Sequence, residues 1–395
     1  MQPTRPGGRP RTGTFPGLVG GSSVPIMADY AGRADLVLEG GGVKGIALVG
    51  AISVLMDAGY TFGDCRVAGT SAGSIVGAMV AAGCTGPEMV DLVGGLDYAA
   101  FMDGQWWDRF AVGKALDIFI EQGIYDGRYA QEWVAAQLAA KGVTTFADLP
   151  YADPDGRDLP EHRRYRLVVN VSDVSFGRLR QLPWDYGTHY GLRAADIPVA
   201  EAVRASMSIP FFYRPVKLRH GDGETSVLVD GGMLSNFPVG LFDAPPGVAP
   251  RWPTFGIKLS SRPPKGGVTG RRVSGAVGLT AALISTMSGF YDRMHVDDQD
   301  VCARTIFVDT AGISATDFDL TTAQRDLLFS NGQEAARAFL ATWDFAEYIR
   351  TYRTAPQPTV IDVTGPAQVD LTIPAPADPP APARVVLTQP TPPPA

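Results

Sequence analysis

Three short patterns hold residue types suited to nucleophilic acyl chemistry. Ser71 stands in Gly69-Thr70-Ser71-Ala72-Gly73, Asp230 heads Asp230-Gly231-Gly232, and the run Gly40-Gly41-Gly42-Val43-Lys44-Gly45 lies upstream of both. A serine hydroxyl is a weak nucleophile until a base takes its proton and donors stabilise the oxyanion that forms. A Gly-x-Ser-x-Gly pattern between a strand and a helix holds the serine on a tight bend, and the small flanking residues leave room for a substrate. A glycine run lets backbone N–H groups converge on an anion, and Lys44 adds charge or orients the loop. That anion is either a phosphate or the transient oxyanion of acyl transfer. The phosphate-loop pattern is absent, because Gly45 rather than Ser or Thr follows Lys44. Each pattern also has a plain structural reading: a helix-capping serine, a tight strand–helix turn and an Asp-Gly turn.

Asp230 is the candidate base. An ordinary aspartate has a pKa of about 3.9, so its site must raise that value before it accepts a proton well near neutrality. Histidine is the alternative. Of His162, His189, His220 and His295, only His295 follows Asp230 in the chain, as the usual order of serine, acid and histidine requires. Its neighbours, Arg293-Met294-His295-Val296-Asp297-Asp298, read as an exposed helical stretch. The expected pair is therefore Ser71 with Asp230, within hydrogen-bond reach of each other.

The patterns need strands and helices to carry them. Leu36-Val37-Leu38 is a buried strand that ends at the glycine run, and Lys44 to Gly59 has apolar residues at helical spacing. Val67-Ala68 leads into Ser71, and a helix of small residues continues from Ile75 to Ala82. Further buried strands are expected at Arg166 to Val171, Val227 to Val229, Phe255 to Leu259 and Thr305 to Val308. Further helices are expected at Tyr129 to Ala140, Val199 to Ser206 and Ala323 to Trp343. Alternating strands and helices imply an α/β fold, with a mainly parallel central sheet in a three-layer α/β/α sandwich. Asp230, at the end of its strand, is expected at the sheet edge where α/β enzymes place their sites.

Composition sets the limits. The 395 residues are 45% hydrophobic and 19% charged, with a formal net charge of −7. The acidic balance argues against nucleic acid as a partner, which needs a basic face, but leaves open a peripheral contact with a membrane surface. Cys65, Cys84 and Cys302 are sparse and lack metal-ligand spacing, so they read as reduced core thiols of a cytoplasmic protein. Residues 1–33 form a Gly- and Pro-rich arm without the apolar core of a signal peptide. Residues 34–350 form the folded domain, and 351–395 a Pro- and Ala-rich tail expected to be disordered. The stretch Val273 to Tyr291 is too weakly apolar to span a bilayer. Oligomeric state is open.

Taken together, the three patterns resemble the patatin-like phospholipases, a family that combines a glycine-rich oxyanion loop, a Gly-x-Ser-x-Gly elbow and an Asp-Gly-Gly or Asp-Gly-Ala motif. The resemblance spans about residues 34 to 345 and includes Ala205-Ser206-Met207-Ser208-Ile209-Pro210-Phe211-Phe212 ahead of the aspartate. It implies Ser71 as nucleophile and Asp230 as base. The backbone of Gly40, Gly41, Gly42, Val43, Lys44 and Gly45 would form the oxyanion hole, supported by Gly69, Gly73, Gly231 and Gly232. It further implies lipid acyl ester hydrolysis in lipid degradation, a lipid or phospholipid substrate, and no metal or other cofactor. Phe101, Met102, Trp106, Trp107, Phe110, Ile118 and Phe119 are candidates for an acyl channel or lid, and Phe211, Phe212 and Tyr213 for a second wall. A non-catalytic lipid- or acyl-binding module on the same fold is the alternative.

Overall fold

Strand β1 (Asp35–Leu38) is buried at every position, as are β2 (Val67–Thr70), β4 (Leu167–Asp173) and β9 (Thr254–Lys258). Such continuous burial belongs to strands covered on both faces. The computed structural model describes residues 32–96, 99–101, 123–152, 159–245, 248–260, 286, 299–315 and 317–353. Within them, β10 (Thr305–Phe307), β9, β1, β2 and β4 run parallel in that spatial order. The expected mainly parallel sheet is therefore present. Its far side is antiparallel: β5 (Arg178–Leu182) and β8 (Thr225–Asp230) both pair antiparallel with β4, and β7 (Val216–Arg219) pairs with β8. A separate two-stranded ribbon joins β3 (Gly123–Tyr125) to β6 (Phe211–Tyr213).

The two-residue strand period sorts side chains into two layers. Leu36, Leu38, Val67, Leu167, Val169 and Val171 face the larger core, which is filled by α1 (Gly45–Asp57), α2 (Ala72–Ala81), α3 (Gly86–Gly94), α4 (Arg128–Ala140) and α6 (Val199–Ser206). Val37, Ala68 and Val168 face a smaller one. There Trp184 of α5 (Trp184–Tyr190), Phe237, Val239, Phe242 and Val301 of α7 (Gln299–Ala303) cover the sheet. Helix α1 is buried over its first eleven residues, because α8 (Thr322–Leu340) closes over its outer side. The helices approach closely: a Cβ on Gly50 would sit 2.2 Å from the Phe329 carbonyl oxygen, and one on Gly332 would sit 2.1 Å from that of Ala47.

The order of pairing along β4 matters most for the site. Val169 and Asn170 pair with β2 and also with β5, while Val171, Ser172 and Asp173 pair with β8 and also with β5. Since β5 occupies one edge, β2 and β8 share the other. They arrive from opposite directions and meet end to end, Thr70 opposite Asn170 and Asp230 opposite Val171. Asp230 therefore reaches the site on an antiparallel strand, not at the carboxyl end of a parallel one.

A buried ion pair ties β1 to β9 just below the glycine run. Glu39 bonds the Lys258 ammonium with one oxygen and accepts the Leu259 N–H at 2.5 Å with the other. Both side chains are nearly excluded from solvent, and the Lys258 ammonium sits over the Phe237 ring.

Cys65 and Cys84 are buried, as expected, while Cys302 is half-buried. Burial, helped by the Asp35 carboxylate, pushes the Cys65 thiol up to about 12. No described helix is long and apolar enough to cross a membrane. The arm up to residue 31, the tail from 354 and, apart from residue 286, the stretch 273–291 lie outside the described residues, as does His295.

Removing one partner of a buried pair leaves an uncompensated charge, at a cost of about 3–5 kcal/mol. Lys258→Met is expected to lower the thermal midpoint sharply, and adding Glu39→Leu to restore most of it. A Lys258→Met protein as stable as wild type would show that the pair contributes nothing.

Candidate active site

The bend after β2 is a strained one. Ser71 has φ 51° and ψ −126°, a region that residues with a Cβ seldom occupy. Hydrogen bonds on both of its backbone groups hold it there, one of them from the Ser74 N–H to its carbonyl at 2.8 Å. Its N–H donates to Ser206 Oγ at 2.8 Å, and its carbonyl accepts from Ser74 Oγ at 2.6 Å. Ser206 Oγ in turn donates to the Asn170 carbonyl at 2.7 Å. The bend also needs small neighbours, since a Cβ on Gly69 would fall 2.2 Å from the Gly73 carbonyl oxygen, and one on Gly73 would fall 2.5 Å from that of Leu38. Helix α2 starts at Ala72, so its first-turn N–H groups and positive dipole end lie at the serine.

Asp230 meets this bend from the other side. Its backbone N–H donates to the Ser208 carbonyl at 2.9 Å. Ser206 and Ser208, at the end of α6, thus brace Ser71 and Asp230 respectively. The Asp230 side chain is buried. It accepts the Gly232 N–H at 2.7 Å, and the Ser71 hydroxyl lies near enough to favour its charged form. Burial is the dominant influence on this carboxyl and pushes it up to about 6, while the Ser71 hydroxyl and the Gly232 N–H pull against the rise. Gly231 sits against Asn170, whose carbonyl oxygen would lie 2.3 Å from a Cβ there.

The glycine run curls beside Ser71. A Cβ on Gly40 would lie 3.0 Å from the Ser71 Cβ. Asn236 Nδ2 donates to the Gly40 carbonyl at 2.9 Å. The trans peptide consequently aims the Gly41 N–H away from Asn236. Gly42 has φ 55° and abuts the Ala315 carbonyl, where no side chain would fit. The Val43 N–H donates to Ala315, the Lys44 N–H to Gly41 and the Gly45 N–H to Gly42. Among the described residues, the N–H groups of Gly40, Gly41 and Gly42 have no protein acceptor, so they are the donors the loop leaves open.

Ser71 opens onto an apolar cleft. Val43, Ile46, Ile75, Val76, Leu96 and Phe318 line it, together with Phe101, Trp133, Met207, Ile209 and Tyr213. No histidine of the described residues lines it. Of the aromatic residues expected to form a channel, Phe101 and Tyr213 line the cleft, and Tyr213 Oη donates to the Phe101 carbonyl at 2.9 Å. Phe212 stacks on Phe318, while Phe211 is 54% exposed. Met102, Trp106, Trp107, Phe110, Ile118 and Phe119 lie outside the described residues.

Sequence reasoning did not single out Asn236, Glu39 or Lys258. Ser206 and Ser208 stand out in the sequence only as residues ahead of the aspartate. Asn236 carried one signal, a polar residue six positions after Asp230 in a turn otherwise made of small and apolar residues. The other contacts join segments far apart in the chain.

Comparisons with known proteins bear on the whole arrangement. The family described as patatin-like phospholipase matches over residues 36–243. The uncharacterized protein YqhO of Bacillus subtilis (strain 168) is 36% identical over 320 residues, covering 79% of this chain and 99% of that protein. The uncharacterized protein R571 of Acanthamoeba polyphaga mimivirus is 25% identical over 231 residues, 56% of this chain and 65% of that protein. Among solved structures, VipD from Legionella pneumophila superposes with a TM-score of 0.41 at 17% identity, covering 78% of this chain and 67% of that one. ExoU in its complex with SpcU, from the type III secretion system of Pseudomonas aeruginosa, gives 0.39 at 17% identity, with 78% and 51% covered. The chain thus spans about half the length of ExoU. A family match over more than half of the chain, and a relative matched over almost its whole length, together establish that this chain belongs to the patatin-like phospholipase family.

Proposed function

We propose that the chain hydrolyses fatty-acyl esters of lipids, as a carboxylic ester hydrolase of phospholipase A or lipase type, with Ser71 as nucleophile and Asp230 as base. The observation that carries this reading is the placing of the Ser71 hydroxyl beside a buried Asp230 at the floor of an apolar cleft. A base is most effective with a pKa near working pH, and burial moves Asp230 towards that range. The cleft favours an apolar acyl chain and offers little to a polar substituent.

In the proposed reaction, Ser71 Oγ bonds to the ester carbonyl carbon while its proton passes to Asp230. The oxyanion forms against the N–H groups of Gly40, Gly41 and Gly42. As the C–O bond to the leaving alcohol breaks, Asp230 returns the proton to that oxygen, leaving an acyl ester on Ser71. Asp230 then takes a proton from water, and the hydroxide adds to the acyl carbon. The Oγ–C bond breaks, the proton returns to Ser71, and the fatty acid leaves. The exposed Phe211, close in sequence to the lining residues Ile209 and Tyr213, supports peripheral contact with a lipid surface.

Release of fatty acid from phospholipid vesicles and short-chain esters, with fluorophosphonate labelling, tests the assignment. Ser71→Ala is expected to abolish both. Asp230→Asn is expected to lower turnover by roughly 10²–10⁴-fold, and His295→Ala to leave it nearly unchanged. Labelling of Ser71→Ala equal to wild type would sink the assignment. Saturable lipid binding without turnover would replace it with a binding module.

The pH dependence has a definite sign. Asp230 acts as base only when ionised, so kcat/KM should rise with pH through about 6 and then level off. Stability runs the other way. The folded carboxyl keeps its proton up to about 6, whereas the unfolded one loses it near 3.8. Its contribution is complete below the lower value and is lost as pH rises through the higher one. Asp230→Asn should therefore raise the thermal midpoint at pH 8 more than at pH 4. A flat rate profile between pH 5 and 8 would count against Asp230 as the base.

A further inference from the structure

The far end of β8 holds a second polar cluster that the proposed reaction does not use. The β7–β8 hairpin turns through His220-Gly221-Asp222-Gly223-Glu224. Its pairing continues past Arg219 opposite Thr225, with the His220 N–H donating to the Glu224 carbonyl at 2.8 Å. Directly opposed residues project from the same face, so the His220 and Glu224 side chains are neighbours. Asp222, at the turn, places Oδ1 3.9 Å from His220 Nδ1. One ligand-type atom from each of the three side chains lies within 4.8 Å of the others.

An independent network fixes which imidazole nitrogen faces this cluster. Asp173 is fully buried and accepts four hydrogen bonds. Oδ1 takes the Ser175 and Phe176 N–H groups at 3.0 and 3.4 Å, and Oδ2 takes the Tyr190 and Ser226 hydroxyls, both at 2.9 Å. Burial, then the Asp173 charge beside it, push the Tyr190 phenol up, so it stays a donor. Ser226 has one proton, and it goes to Asp173. The remaining contact, Ser226 Oγ to His220 Nε2 at 2.9 Å, must then use a proton on Nε2. A neutral ring therefore presents the bare Nδ1 lone pair to two carboxylates. The side chain is 5% exposed, and among the described residues the ring's hydrogen bond is the one at Nε2, while Nδ1 faces Asp222 at 3.9 Å. The ring cannot readily turn away, since it lies between Phe176, stacked at 6.2 Å, and Tyr190, edge-on at 5.0 Å.

Three acceptors converge here, with the Glu224 N–H donating to Asp222 Oδ1 at 3.0 Å, and the imidazole N–H is held through a hydroxyl by a carboxylate. Metal-binding histidines have this outer arrangement, in which the second N–H is fixed and the ring orientation set. We propose that His220 Nδ1, Asp222 and Glu224 form a divalent transition-metal site, with Zn²⁺ the best match to one nitrogen and two oxygen donors. Bonds of 2.0–2.2 Å in a tetrahedron need donors about 3.4 Å apart. Rotation of the exposed Asp222 and Glu224 side chains brings them that close. Water fills the fourth position. Ser226 and Asp230 lie four residues apart on one strand, roughly 14 Å, so the metal would not touch Ser71. It would fasten the outer end of the strand whose inner end is Asp230.

Calorimetric titration of ZnCl₂ into the full-length, EDTA-dialysed protein is the test, with thermal midpoints measured alongside. Wild type should bind one Zn²⁺ and gain thermal stability. Asp222→Asn with Glu224→Gln changes only exposed side chains and should remove that binding while keeping the metal-free midpoint. Ser226→Ala removes the hydroxyl behind the ring and should weaken binding roughly 10–100-fold. Absence of stoichiometric uptake by wild type would overturn the proposal. So would equal affinity in the double variant, which would place the metal elsewhere, for example on a cysteine.

Discussion

One edge of β4 is shared between two strands that run at each other. This constraint fixes the site. β2 comes in parallel and stops at Asn170, and β8 comes in antiparallel and stops at Val171. The residues at and just beyond the two strand ends, Ser71 and Asp230, are therefore held close by backbone pairing before any side-chain contact is counted. The end of α6 then secures each from above, through the Ser206 hydroxyl and the Ser208 carbonyl. Neither strand can slip by one residue, because a slip would turn the apolar positions of β2 and β8 to the wrong face.

The same region places polar groups where desolvation would otherwise forbid them. Glu39 is balanced by Lys258 and by a backbone N–H, so it anchors the glycine run at little electrostatic risk. Among the described residues, Asp230 has one N–H and the neighbouring Ser71 hydroxyl. The difference is chemical: a fully compensated carboxylate is a strut, and an under-compensated one is driven to take up a proton. Ser71 adds a second local cost in its backbone angles, of order 1–3 kcal/mol. The large core on the α1–α8 side supplies the stability against which both costs are set.

The central strands could be read from the chain because burial on both faces makes them short apolar runs. β1, β2, β4, β9 and β10 lie within two residues of the ranges expected from Leu36, Val67, Arg166, Phe255 and Thr305. Helix α6 matches at both ends. β5 and β7, by contrast, are sheet-margin strands with mixed polar sequences, Arg178–Leu182 and Val216–Arg219, and nothing in them marks a strand. The antiparallel entry of β8 was equally invisible, since strand direction depends on pairing with β4 rather than on the residues of β8. Ser71, Asp230 and the glycine run announced themselves through spacing. Asn236 and the Glu39–Lys258 pair did not, because their meaning comes from partners 196 and 219 positions away.

The end-to-end meeting of β2 and β8 also sets an order of events during synthesis. Ser71 and Asp230 are 159 positions apart, so at about 5–20 residues per second the serine leaves the ribosome roughly 8–30 s before its partner. In that interval α1 and α2 can form, but the free half of the β4 edge has nothing to pair with. The Ser71 bend also lacks the brace from Ser206 until α6 has emerged. A nascent chain therefore carries the elbow without its acid. The arrangement proposed to cut lipids comes into being only after most of the sheet has been made.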